Sequence, residues 1–209
     1  KIFMELAKDA DVVIEGFRPG KVDELGIGYK EIRKINPKII YCSITGYGQK
    51  GIYRNKAGHD LNYSALSGLL GLMSEKPIVI GAQPADVQSS LIAAFAITSS
   101  LLHKEKNKEG SYIDISVADS ALSMIGMHIA RYSAFGNART LLSGAKICYN
   151  VYKTKDKNFV ALGAIEKKFW HAFCTAVARE DFATKQFNSN IHFIEEMRNL
   201  FKSKTLKEW

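Results

Sequence analysis

Asp11-Val12-Val13-Ile14-Glu15 runs into Gly16-Phe17-Arg18-Pro19-Gly20, and Lys38-Ile39-Ile40-Tyr41-Cys42-Ser43-Ile44 runs into Thr45-Gly46-Tyr47-Gly48. Each stretch reads as a strand, the first of them buried, ending in a loop punctuated by glycine. Between them residues 29–35 read as a short helix, stopped before Pro37 because the residue ahead of a proline is driven out of the helical region. Strand, glycine loop, helix, strand, glycine loop is the pattern of a parallel α/β sheet. Ligands of such sheets gather in the loops at the carboxyl ends of the strands, which puts residues 17–20 and 45–48 on one edge.

Working outward, residues 2–9 read as a helix with Ile2, Phe3 and Leu6 on one face. Residues 61–73 carry Leu61, Leu66, Leu69, Leu70 and Met73 at helical spacing. A connector containing Pro77, Gly81 and Pro84 leads to an apolar helix over 87–103 with Leu91, Ile92, Phe95, Ile97 and Leu102. The polar stretch 104–110 reads as a loop, 112–116 as a strand and 118–132 as a helix. Residues 134–148 show no clear periodicity and read as a linker. Beyond it, 149–153 and 159–162 around Asp156-Lys157-Asn158 form an expected hairpin, whose second strand runs into Glu166 and a helix over 169–178. The expected organisation is a large domain over 1–133, the linker 134–148, and the start of a small domain over 149–209.

With 209 residues, 46% of them hydrophobic, the chain is long enough to bury a core. No run of about 18 apolar residues stands out, so no membrane-spanning segment is expected. The sequence opens on Lys1-Ile2-Phe3-Met4-Glu5 and stops at Thr205-Leu206-Lys207-Glu208-Trp209, both inside helix-like sequence. The expectation is therefore an internal fragment of a longer protein. Cys42, Cys148 and Cys174 are widely spaced with no CxxC pair, which suits a reducing cytoplasm and argues against a disulfide framework or a zinc site. The net charge of +8 comes from Lys and Arg scattered among acids. Without a basic block or interleaved aromatics this reads as a solvated surface rather than a nucleic-acid groove. A small anionic ligand such as a nucleotide or coenzyme A suits the same charge.

The chemistry concentrates in Gly58-His59-Asp60-Leu61-Asn62-Tyr63 and in Ala85-Asp86, 27 residues past His59. A histidine at the mouth of one helix and a carboxylate at the start of the next make a usable acid/base pair, and unpaired amides at helix N-termini favour an anion. Gly163-Ala164-Ile165-Glu166 adds a carboxylate at a strand-to-helix junction. Asp86 ahead of an apolar helix also reads as an ordinary N-cap, a role compatible with catalysis, and Asp60 as a local cap. Glu166 also reads as a first-turn acid favoured by the helix dipole. Arg18 and Arg54 have the geometry for bidentate phosphate contacts, and the amides of Gly46, Tyr47 and Gly48 can approach a ligand. Phe17, Pro19, Thr45, Gly58, Asp60, Asn62 and Tyr63 flank these groups and complete the expected binding set. His103, His128, His171 and His192 stand in no motif and receive no role.

Four ordered motifs carry a resemblance: Glu15-Gly16-Phe17-Arg18-Pro19-Gly20, Gly46-Tyr47-Gly48-Gln49-Lys50-Gly51, Ala57-Gly58-His59-Asp60-Leu61-Asn62-Tyr63 and Val160-Ala161-Leu162-Gly163-Ala164-Ile165-Glu166. Over nearly the whole chain the sequence resembles the class III CoA-transferases of the CaiB/BaiF type, and within them the α-methylacyl-CoA racemases. The resemblance implies a Rossmann-like large domain, here lacking its N-terminal strand unit, followed by part of a smaller α+β domain. It also implies an interlocked homodimer, no metal, and no cofactor apart from the CoA of the substrate thioester. Racemisation exchanges the α-proton of a 2-methylacyl-CoA, with His59 on one face and Asp86 on the other. Glu166 resembles the carboxylate that pairs with this histidine, and Asp119 an acidic position near the site. One departure is Val87-Gln88-Ser89-Ser90, where racemases carry a glycine-rich run; it places side chains where the thioester is expected. The rival readings are an inactive truncated remnant and a CoA-transferase that moves CoA between carboxylic acids with Asp86 as the nucleophile. A transferase of this kind needs neither His59 nor Glu166, so their presence favours the racemase over it.

Overall fold

The computed structural model describes residues 1–73, 78–138 and 141–209. Pro77 of the expected connector, and residues 139–140 of the expected linker, lie outside the described residues. The chain divides into two compact units, Lys1–Met127 and His128–Trp209.

The first unit is built on a parallel sheet in the order β1 (Val12–Glu15), β2 (Ile40–Thr45), β3 (Ser111–Ser116). Cys42, Ile44, Ile113 and Ile115 point to one face and pack beneath α6 (Pro84–Asn107) against Ala93, Ile92 and Ile97. Tyr41 points to the other face and packs with Ala7 of α1 (Ile2–Asp9) and Ile32 of α3 (Tyr29–Ile35). Alternation of side chains along each strand produces the two layers. Asn36 closes this corner, its side-chain amide donating to the carbonyls of Ala7 and Ala10 at 3.0 and 2.9 Å. A four-residue helix α2 (Lys21–Glu24) follows the first glycine loop.

Several expectations are corrected. The inward face of α1 is Met4 and Ala7, and Ile2 is 79% exposed. β1 is not fully buried, for Ile14 is 59% exposed. The helix expected over 61–73 is two, α4 (Asp60–Leu66) and α5 (Leu69–Met73), because Gly68 takes φ +86° between them, a left-handed residue that ends a helix. α6 begins at Pro84, where a missing N–H is tolerated, and continues through the polar stretch read as a loop. Lys104, Glu105 and Lys106 are strong helix formers, and the two lysines suit its carboxyl end. Residues 118–132 fall into α7 (Val117–Met124) and α8 (Gly126–Phe135).

By length and composition alone α6 is also apolar enough to cross a membrane, a run that the sequence reading did not single out. In this unit α6 buries Ala85, Ser89 and Ala93 while packing against β2, β3, α4 and α7. Its outer stripe of Val87, Leu91, Phe95 and Leu102 is exposed.

The second unit, which opens with most of α8, contains the antiparallel hairpin β4 (Tyr149–Lys153) and β5 (Phe159–Gly163), followed by α9 (Lys167–Ala176), a 3₁₀ turn (Glu180–Lys185) and α10 (Ile191–Phe201). Its core holds Trp170, Tyr152, Phe182, Met197 and Phe201. Tyr152 stacks on Phe201 with ring centres 4.5 Å apart. The two buried polar aromatic groups are satisfied, as burial demands: Trp170 Nε1 donates to the Phe182 carbonyl at 2.9 Å and the Tyr152 hydroxyl to the Ile147 carbonyl at 2.7 Å.

Candidate active site

The carboxyl ends of β1 and β2 open onto a cavity of about 880 Å³. The loop after β2 is fixed twice: Ala118 N–H donates to the Gly46 carbonyl at 3.0 Å, and Gln49 N–H to both Asp114 carboxylate oxygens at 3.1 Å. Tyr63, 8% exposed, threads between two glycines. A Cβ on Gly46 would stand 2.2 Å from its hydroxyl, and one on Gly58 2.7 Å from its ring. The hydroxyl donates to the Gly58 carbonyl at 2.8 Å, which pins the residue before His59, and Tyr47 meets the ring edge-on at 5.1 Å.

His59 is the N-cap of α4, and its own N–H donates to the Asn62 side-chain oxygen at 3.0 Å. The next residue, Asp60, caps a different helix. Its Oδ2 accepts from the amides of Ala85 at 2.8 Å and Asp86 at 3.1 Å, the first free N–H groups of α6. Asp86 therefore stands inside the first turn of α6 and is not its N-cap. Its carboxyl is raised above its ordinary 3.8, first by desolvation and then by the negative charge of Asp60, with His59 pulling the other way. Burial, Tyr47 and Asp86 likewise push the Tyr63 hydroxyl up. The departing residues 87–90 do not line the cavity. Ser89 and Ser90 turn their hydroxyls back onto the Asp86 carbonyl at 2.8 and 2.9 Å.

Around these groups the cavity is lined by Arg18, Lys21, Arg54 and Lys56 against Glu24, Asp60 and Asp86, a cationic balance suited to phosphate. Lys21 is paired with Glu24 at 2.8 Å, and the Arg54 guanidinium lies beside Gly20, 3.4 Å from where a Cβ would be. His59, Asp86, Phe17, Arg18, Pro19, Thr45, Gly46, Tyr47, Arg54, Gly58, Asp60, Asn62 and Tyr63 all line this one cavity. Gly48 does not. It borders a neighbouring cavity of about 310 Å³ with Asp114 and Asp119. Glu166 belongs to the second unit, where it is the exposed N-cap of α9. Gln186 orients that junction by donating to the carbonyls of Ala164 and Ile165 at 2.9 and 2.6 Å. Sequence reasoning missed Lys21, Glu24, Asn55, Lys56 and Ala57. For Lys56 a signal existed, two residues past Arg54 and three before His59.

The family model of CoA-transferase family III matches residues 1–209. A succinyl-CoA:glutarate CoA-transferase of Mus musculus is 35% identical over 83% of this chain and 41% of its own length. An alpha-methylacyl-CoA racemase, also of Mus musculus, is 30% identical over 100% of this chain and 58% of its own. The crystal structure of a CaiB/BaiF family protein from Brucella suis superposes with TM-score 0.81 at 25% identity, covering 98% of this chain and 56% of that one. The chain thus spans about half the length of the curated relatives it matches.

Proposed function

Because the chain belongs to CoA-transferase family III, we propose that the whole protein racemises the α-carbon of 2-methylacyl-CoA thioesters by 1,1-proton transfer. The observation that carries this reading is the convergence of His59 and Asp86, from the mouths of two helices, on one cavity lined with phosphate-compatible cations. One of the two removes the α-proton from one face, giving the enolate of the thioester. The other delivers a proton to the opposite face, and the roles exchange with direction. A weak carbon acid needs a positioned base in contact with its proton, and a carboxylate whose proton affinity is raised by desolvation and a like charge is a better base for it. Arg18 and Arg54 take the CoA phosphates.

CoA enters as part of the substrate, so no separate cofactor is required. We place the whole protein in the cytoplasm, as an interlocked homodimer. The three free, buried cysteines suit a reducing compartment. The transferase relative at 35% identity supports a second reading, with Asp86 as nucleophile forming a mixed anhydride and then an aspartyl-CoA thioester, which leaves His59 and Glu166 without a task. Incubating the whole protein with one enantiomer of a 2-methylacyl-CoA separates the two. Loss of optical purity without any partner carboxylic acid supports racemisation. Hydroxylamine capture of an Asp86 hydroxamate, with optical purity kept, overturns it.

A further inference from the structure

Helix α6 has no cap of its own. The Gln83 side chain makes no capping bond and Pro84, at the first helical position, has no N–H. The first two free amides, Ala85 and Asp86, are instead taken by a carboxylate from outside the helix, Asp60. That carboxylate follows His59 directly in the chain, and its other oxygen is held by the Ser64 hydroxyl at 3.4 Å, with Ser64 1% exposed.

We propose that Asp60 is a positioning residue that ties the two candidate bases together. Through the main chain it is joined to His59, and through a hydrogen bond to the backbone of Asp86, so one side chain fixes their spacing and sets a negative charge beside the Asp86 carboxyl. An anion at the mouth of a 24-residue helix is stabilised by the unpaired amides and the dipole, and from there the Asp60 carboxylate acts on the Asp86 carboxyl. The charged groups acting on Asp86 are His59 and Asp60, while the Tyr63 hydroxyl senses its charge in turn. Arg18, Lys21, Glu24, Arg54 and Lys56 line the same cavity.

The catalytic consequence rests on the racemase reading, but the tie itself does not, and the test reads both. Amide hydrogen exchange and a ¹³C titration of the Asp86 carboxyl are followed in the wild type, Asp60→Asn and Asp60→Ala. Loss of the acceptor in Asp60→Ala is expected to speed exchange of the Ala85 and Asp86 amides about tenfold, the size of a lost helix cap. Asp60→Asn keeps an acceptor oxygen and removes the charge, so Asp86 titrates at lower pH. In the whole protein the acid limb of the racemisation profile then moves down in Asp60→Asn. In Asp60→Ala, kcat falls while KM for the thioester holds. Unchanged amide protection in Asp60→Ala together with an unchanged Asp86 titration in Asp60→Asn overturns the proposal; if Asp60→Ala does not fold, the titration decides. An inactive whole protein whose Asp86 titration still moves as expected sinks the racemase reading and leaves this one standing.

Discussion

Replacing Gly46 by alanine tests whether the Tyr63 clamp sets the geometry around His59. The new Cβ would lie 2.2 Å from the Tyr63 hydroxyl oxygen and 2.6 Å from the ring carbon that bears it, whereas ordinary contact begins near 3.4 Å. The hydroxyl must retreat by roughly an ångström, enough to break a hydrogen bond of ordinary length. Retreat is blocked on one side by Gly58, whose own missing Cβ marks a contact of 2.7 Å. On the other it is blocked by the buried cluster of Ala85, Val117, Ala118 and Ala121. Overpacking of this kind costs about 1–3 kcal/mol, and losing the bond to the Gly58 carbonyl adds about 1 kcal/mol. The reduced entropy of the unfolded chain returns at most about 1 kcal/mol. A net loss of roughly 1–3 kcal/mol lowers the melting temperature of a unit this size by about 4–10 °C, read by circular dichroism. In a Tyr63→Leu background the clash is gone, so adding Gly46→Ala should then cost less than about 1 kcal/mol. A Gly46→Ala protein melting within about a degree of the wild type, or an equal loss in both backgrounds, refutes the clamp.

Three further outcomes follow from the same structure. Hydrogen bonds from Thr154 and Asn158 hold the exposed Asp156 carboxyl down at about 2 from an ordinary 3.8. Because the folded value is depressed, its stabilisation is present above 3.8 and is lost as pH falls through about 2. Asp156→Asn should flatten the acid limb of thermal melts of the second unit over that window, and an unaltered limb contradicts the assignment. Burial and the Glu15 charge push the Cys42 thiol up to about 11, and burial raises Cys148 and Cys174 too. Iodoacetamide at about pH 8 should therefore label none of the three until denaturant is added, since the thiolate is the reactive form; labelling of the native chain would contradict their burial. Arg18→Ala and Arg54→Ala in the whole protein should each raise KM for a CoA thioester roughly tenfold with kcat held, the size of one charge-assisted bond lost, and an unmoved KM removes that arginine from the phosphate site.

Where one local rule governed, the sequence was legible. The hairpin strands β4 and β5 and helix α3 fall where alternation, turn residues and the proline stop put them. The α/β character followed from the glycine loops after β1 and β2, and both loops line the cavity. What escaped depends on partners distant in the chain. Periodicity identified α1 and α6 as helices without telling which of their apolar residues would be covered, and Ile2 and Phe95 stand 79% and 76% exposed. Asp86 was placed at a cap because the cap of α6 comes from Asp60, a bond spanning 26 residues that no local pattern encodes. Gly68 broke a helix that its leucines alone would have continued. Lys21 lines the cavity beside Arg18, and composition gave no reason to prefer it over other lysines, whereas Lys56 stood close to Arg54 and His59 in the chain.

The most direct test of the two-base account is α-proton exchange. A single enantiomer of a 2-methylacyl-CoA is incubated with the whole protein in deuterated water, beside His59→Ala and Asp86→Asn, and followed by NMR and chiral analysis. The account predicts deuterium entering the α-position with inversion in the wild type, and racemisation falling by about 10²–10⁴-fold in each variant, the contribution of one positioned acid or base. Racemisation that persists at the wild-type rate in either variant would contradict it.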